Sequence, residues 1–317
     1  MSGGTRSPPN FTGRKFVNKA EGFDTPTKLP TSEIERAKWQ SANKAWWEAT
    51  PMRYDWRESI AVAPGTREYY IEIDRRFFVS ARQYLPWKSN PFDQLIPYAD
   101  LPRLDVLEIG VGQGTHAQLI SSHAKSFTGI DLTEAAQQAT SKRLETFGIR
   151  GRVLQMDAEA MSFPDASFDF IWSWGVIHHS ADTRRVLTEM NRVLRPGGRA
   201  TVMVYHRNWW NFFVVAGALK GLAQGQLKHL GNIHNIAQGA TDGAIARYYR
   251  PNEWHEITRG LFEIERFRVL GLKNDVIPLP PGKLKSLAER ALPNALTRAL
   301  TNTMRVGSFL VAQMRKR

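Results

Sequence analysis

Strand and helix signals alternate from Leu104 to His206, and this alternation restricts the fold more than any other feature of the chain. Val106–Ile109, "SFTGID" (126–131), "RVLQMD" (152–157), "FDFIWSW" (168–174) and "RATVMVYH" (199–206) read as short apolar strands. Between them, "TEAAQQATSKRLETFG" puts Ala136, Thr140, Leu144 and Phe147 on one helical face and stops at Gly148. "ADTRRVLTEMNRVLRPGG" reads as a helix capped by Asp182, with Val186, Leu187, Met190, Val193 and Leu194 inward and Pro196 with two glycines as its end. Such a pattern predicts a doubly wound, largely parallel α/β sheet. Ligands of such sheets bind beyond the carboxyl ends of the strands, where strand order reverses.

The first strand runs into "LEIGVGQGTH", with glycines at 110, 112 and 114 and Glu108 just ahead. Glycines there let the backbone approach a ligand at dihedrals that a Cβ forbids. A dinucleotide site needs glycine at the first, third and sixth positions. The sixth position here is Thr115, so the spacing is Glu-x-Gly-x-Gly-x-Gly instead.

Four pieces in order carry a resemblance: "VLEIGVGQGTH", "GIDLTEAA", "VLQMDAEAMSFPDASFDFIWSWGVIHHSAD" and "VLRPGGRATVMVYHRN". Residues 104–206 resemble class I S-adenosylmethionine-dependent methyltransferases, particularly the branch of ubiquinone and menaquinone biosynthesis. The resemblance implies a Rossmann-like, mostly parallel seven-stranded sheet with an antiparallel last strand, and S-adenosyl-L-methionine as cofactor. It places Gly110, Gly112 and Gly114 under the methionine part, with Glu108 orienting the loop or bonding backbone N–H groups. Asp131 would take the ribose hydroxyls and Leu132 would lie on the adenine. Asp157 and the Ala158 N–H would meet the adenine edge, and Trp174 would complete the cofactor site. An acceptor proton needs a base, and His178, His179 and His206 follow the fourth and fifth strands; positioning without any protein base remains open beside them. His116 reads as packing.

The flanks carry the clues to the acceptor. Aromatic residues concentrate in "WWEATPMRYDWRE" and "NWWNFFVVAGALKG", directly after the fifth strand. Trp47, Tyr54, Tyr205, Trp209 and Trp210 are the expected contacts of a small, hydrophobic or lipid-like acceptor, under a lid formed where the two segments meet. The expected organisation is a flexible tail (1–32), a helical lid segment (33–100), a cofactor-binding core (101–206), a lid insertion with a helix (207–260), and two last strands around a basic amphipathic insertion (261–317).

Net charge is +13 and unevenly spread, with no Asp or Glu between Met190 and Thr241. That surface suits anionic membrane, especially along "GKLKSLAERALPNALTRAL", or RNA. A wobble-uridine tRNA methyltransferase and a non-catalytic cofactor-binding subunit are the alternatives. RNA ranks behind a metabolite because the residues added near the site are apolar and no RNA-binding module is appended. The chain has no cysteine, which excludes disulfides and thiolate chemistry and fits a reducing cytoplasm. No carboxylate cluster accompanies "SWGVIHHS", so no metal is expected.

Overall fold

The computed structural model describes residues 19–54, 59–279 and 282–317; Trp56 and Arg57 of the aromatic segment lie outside the described residues. Strands β1 (Asp105–Ile109), β2 (Ser126–Asp131), β3 (Arg152–Gln155), β4 (Phe168–Trp174) and β5 (Leu194–His206) pair in parallel in the order β3-β2-β1-β4-β5. Three strands follow: β6 (Tyr248–Tyr249), β7 (Phe262–Leu270) and β8 (Phe309–Lys316). β8 runs antiparallel between β5 and β7, and the two-residue β6 extends the end of β5. The expected sheet is therefore present, with β6 as a short eighth strand. Strand order reverses between β1 and β4, which puts the ligand crevice at their carboxyl ends.

Five helices matter for the site: α1 (Glu33–Ala49), α2 (Arg67–Tyr84), α3 (Thr115–Ser121), α4 (Glu134–Phe147) and α5 (Thr183–Val193). Their starts are fixed locally. Ser32, Thr66, Thr133 and Asp182 each accept from a first-turn backbone N–H. Gly148, in the left-handed region at φ +66°, ends α4 as its position suggested. Pro196 does not end α5. The helix stops at Val193, and Leu194 pairs at once with Phe168 before a register shift, so β5 begins five residues earlier than the apolar pattern shows.

Each face of the sheet carries one core. Leu107, Ile109 and Ile171 pack beneath Val186, Leu187 and Met190 of α5 and Trp254. Phe170, Trp172 and Val311 pack beneath Phe77, Ala81 and Tyr84 of α2, with Ala117 and Leu144. This divides the lid expected over 33–100. Phe77, Ala81 and Tyr84 recur at helical spacing toward the sheet, so α2 is mainly a structural layer whose Asp74 also braces the start of α3, while α1 lies over the strand ends.

The flexible tail expected through residue 32 is corrected for residues 19–32. Phe23 is buried edge-on to Trp39 and His234, with ring centroids 5.4 and 5.1 Å away. Ala20 N donates to Ala244 O at 3.0 Å, and Pro26 O accepts from Tyr248 N at 2.9 Å. The composition looked solvated, but one aromatic anchor and two backbone bonds hold the segment. Phe23→Ala should therefore cost about 3 kcal/mol in a denaturant titration, as an emptied aromatic core site does. A change near zero would mean that the segment is not part of the cooperative fold.

Candidate active site

The three glycines of the β1–α3 loop all have positive φ, +80°, +52° and +79°. They serve different ends. A Cβ on Gly110 would lie 2.2 Å from the Val176 side chain, and one on Gly114 3.0 Å from Thr140 and Arg143. Those two positions need glycine for packing. A Cβ on Gly112 would meet nothing within 4 Å, so this stretch of backbone borders open space, as a ligand cradle requires.

Side chains brace the loop from two sides. Gly112 N donates to Asp131 Oδ2 at 3.2 Å, while Thr140 Oγ1 donates to Gly112 O at 3.0 Å. The buried Arg143 donates to Gln113 O at 3.2 Å and to Gln118 Oε1 at 2.7 Å, and pairs with Asp74 of α2. Asp131 Oδ1 also accepts from Thr133 N and Oγ1, at 3.0 and 2.8 Å. A carboxylate offers about four acceptor positions. Three are used here, which leaves about one for a ribose hydroxyl rather than the expected pair.

Glu108 does not bond the loop's N–H groups. It is buried, its Oε2 has no partner, and burial, with Asp131 as a like charge, raises its pKa well above the ordinary carboxylate range. An orphaned carboxyl beside an open glycine cradle suits a cation. S-adenosylmethionine brings an ammonium and a sulfonium, so the residues fit this cofactor. Glu108 and Asp131 would meet its charged and ribose parts across Gly112.

The side expected to meet the adenine is closed by α1. Gln40 bridges it, donating to Asp157 Oδ1 at 2.8 Å and accepting from Ala181 N at 3.0 Å. Asp157 Oδ1 also accepts from Glu159 N at 2.8 Å. Glu159 accepts from Asp182 N at 2.8 Å and from Arg36 at 3.1 Å; burial, helped by the Asp157 charge, pushes it up to about 7. Leu132 is half-buried just past β2, and Ala158 packs against the first core. Trp174 stacks on Trp172 at 5.3 Å and meets Phe92 edge-on at 4.9 Å, so its ring joins the second core.

The three histidines separate. His206 donates through Nδ1 to Gly307 O at 2.9 Å, and it lies on the opposite side of β5 from Tyr205. His179 donates through Nδ1 to Ile245 O at 2.5 Å, and burial pushes its pKa down to about 4. His178 is fully buried, and neither ring nitrogen has a partner among the described residues. Burial, with His179 and Arg247 nearby, holds it well below the usual imidazole range and therefore neutral. Its ring lies 4.0 Å from Tyr205 and 4.1 Å from His179, and Trp47 of α1 meets His179 at 5.0 Å. His116 packs among Phe77, Phe92 and Trp172, where burial pushes it down to about 3.

Of the expected acceptor contacts, Trp47 and Tyr205 meet at this histidine pair. Tyr54 lies against Phe77 at 5.2 Å, with a left-handed φ of +56°. Trp209 and Trp210 contact each other at 5.7 Å, and among the described residues no ring contact ties them to the histidines. Among the described residues, the ring contacts that join the insertion, a π-helix at Trp209–Ala223, to the site run through Phe212, Tyr248 and Tyr205. Sequence reasoning missed Gln40, Glu159 and Arg247. The buried Arg247 donates to Lys28 O at 2.8 Å, Ala181 O at 2.6 Å and Ser180 O, clamping the histidine loop to the N-terminal arm. Nothing local signals it, because its partners lie 66 to 219 residues away.

Residues 107–202 match the family model described as a methyltransferase domain. That span holds the glycine loop, both strand-end carboxylates and the His178–His179 pair. The chain contains a class I S-adenosylmethionine-dependent methyltransferase domain. The 27-O-demethylrifamycin SV methyltransferase of Amycolatopsis mediterranei is 36% identical over 97 residues, 30% of this chain and 36% of that protein. The phthiotriol/phenolphthiotriol dimycocerosates methyltransferase of Mycobacterium tuberculosis is 32% identical over 172 residues, 51% of this chain and 63% of its own length. The chain thus spans between about a third and two thirds of these curated relatives. The solved YcgJ protein from Bacillus subtilis aligns over 67% of this chain and 91% of its own, at 20% identity and a TM-score of 0.44. The family-model match gives the class and selects no branch within it.

Glu108 supplies a test of the methyltransferase domain. Its raised pKa means that the folded state holds the proton longer than the unfolded chain. Stability should then fall as pH rises from the unfolded value toward the folded one. Glu108→Gln should remove that fall and raise the melting temperature of the ligand-free protein near pH 8. It should also weaken S-adenosylmethionine by roughly 1–3 kcal/mol in calorimetry. Unchanged affinity would place Glu108 outside the cofactor site.

Proposed function

We propose that this protein transfers a methyl group from S-adenosylmethionine to an oxygen or carbon of a small, apolar or lipid-like metabolite. The observation that carries the reading is His178, neutral, buried and unpartnered at the carboxyl end of β4, under Tyr205 and two residues after the Val176 that packs on Gly110. A buried imidazole with two orphaned nitrogens is costly in a folded protein, and a bound acceptor that gives it a hydrogen-bond partner would repair that cost. The cofactor supplies an electrophilic methyl on a sulfonium. Once the methyl passes to the acceptor's oxygen or carbon and the sulfur departs as a neutral thioether, His178 would be the group that takes the acceptor's proton. The rings of Trp47, Tyr205 and His179 around it would keep water away from the developing charge.

The names of the two curated relatives support an acceptor of this kind; one denotes an O-demethyl compound. The rings of Tyr205, His179 and Trp47 around His178, with the nearby Arg247 guanidinium engaged by backbone carbonyls, favour such an acceptor over RNA. His178→Asn should lower kcat roughly a hundredfold while cofactor affinity holds. The acid limb of the wild-type rate profile should lie below that of an ordinary histidine, because the depressed pKa keeps the base form populated to lower pH. Equal loss of affinity and rate would make His178 structural, and an unchanged rate would leave positioning alone to account for transfer.

A further inference from the structure

Among the described residues, eight of the twelve large apolar side chains left exposed fall in two segments, 209–222 and 284–304. Both leave the sheet at the carboxyl end of β5, on the rim that holds the candidate site. They are tied to a common turn: Asn211 donates to Val306 O at 3.2 Å, and Asp275 accepts from Ser308 Oγ at 2.7 Å while its neighbour Lys273 donates to Glu289 O at 2.8 Å.

In the π-helix, Gly217 and Gly221 turn inward, where an added Cβ would lie 3.2 Å from Ile233 and 3.0 Å from Leu227. The opposite strip, Trp209, Phe213, Leu219 and Leu222, faces outward, and Leu222 is 72% exposed. The helix Lys283–Ala291 goes further and is inverted. Lys285, Ala288 and Glu289 are half-buried, whereas Leu284 and Leu287 stand out at 67% and 65% exposure. A helix that packs on a protein for its own stability buries its apolar stripe. On this rim the π-helix exposes a second apolar strip beside the one it buries through Phe212 and Ala216, and Lys283–Ala291 exposes its leucines; a patch of that composition marks a docking surface.

Charge identifies the occupant. The Arg250 guanidinium lies 5.3 Å over the Phe213 ring, Arg305 adjoins the exposed Met304, and Lys283 and Arg290 flank the outward leucines. No Asp or Glu occurs from Met190 to Thr241, and the one Glu after Gly282, Glu289, is half-buried. Apolar strips bordered by cations and free of exposed carboxylates match a bilayer surface with anionic headgroups, where tryptophan and leucine enter the interface and lysine and arginine meet phosphate. No helix among the described residues is long and apolar enough to cross a membrane, so the contact lies along the surface.

We propose that the outward faces of Trp209–Ala223 and Lys283–Ala291 dock this protein on an anionic lipid surface, holding the candidate site against the source of an apolar acceptor. The proposal rests on the lipid-like acceptor for its purpose but not for its test. The full chain should float with vesicles of phosphatidylcholine and phosphatidylglycerol, far less with phosphatidylcholine alone, and less at high salt. The double variant Leu222→Glu, Leu287→Glu changes only exposed positions. It should keep its circular dichroism and S-adenosylmethionine affinity while anionic-vesicle binding falls roughly tenfold or more. Wild-type protein that stays unbound on anionic vesicles would overturn the proposal, as would a variant that floats equally well. Sedimentation showing a wild-type dimer that the variant abolishes, without vesicle binding, would assign the faces to a second copy. A protein that floats yet methylates only a polar, soluble acceptor would leave the docking intact and overturn the acceptor reading.

Discussion

Everything in the cofactor crevice depends on one loop of three left-handed glycines being held still. Glycine supplies the dihedrals but no rigidity, so the rigidity comes from neighbours: Asp131 on the Gly112 N–H, Thr140 on its carbonyl, Arg143 on Gln113, and Val176 against Gly110. These braces belong to β2, α4 and the loop after β4. The cradle therefore forms only when the parallel sheet and its helical layers have assembled, and the site is a property of the whole core.

The braces use up capacity that a ligand could otherwise take. Asp131 gives three of its acceptor positions to backbone and Thr133, and Asp157 gives Oδ1 to Gln40 and Glu159. What remains unsatisfied is then informative. Glu108 Oε2 and both ring nitrogens of His178 are buried without partners, on either side of the Gly110–Val176 contact. A folded chain tolerates groups of this kind where a ligand completes them, and the two differ in the ligand they await. An orphaned carboxyl calls for a cation, and an orphaned neutral imidazole calls for a proton donor.

The N-terminal arm and α1 show how a lid can be structural as well. Phe23 and Arg247 lock the arm to the histidine loop, while Gln40 and Arg36 lock α1 over β3 and β4. Closure on the adenine side is therefore built from hydrogen bonds between distant segments. The acceptor side is instead edged by aromatic rings, from Phe212 through Tyr248 and Tyr205 to His179 and Trp47. Polar clamps specify one geometry, whereas apolar walls accept a range of shapes.

The sequence by itself determined the order of the parallel strands, the cap at Asp182, the stop at Gly148, the glycine register and the strand-end acids. Each is written in residues a few positions apart, where periodicity and capping act. It also put Tyr205 near the histidines, because Tyr205 stands at the carboxyl end of the fifth strand, whereas Trp47 reaches His179 from α1, ahead of the whole sheet. Tertiary structure alone decided which histidine is left unpartnered, since that depends on Gly307 and Ile245 reaching His206 and His179 but not His178. It alone turned Trp209 outward, made α2 a core layer, and buried Phe23 in a segment whose composition reads as solvated. The physical reason is common to all of these. Burial and hydrogen-bond satisfaction are set by what the far end of the chain brings to a side chain, and no local pattern records that.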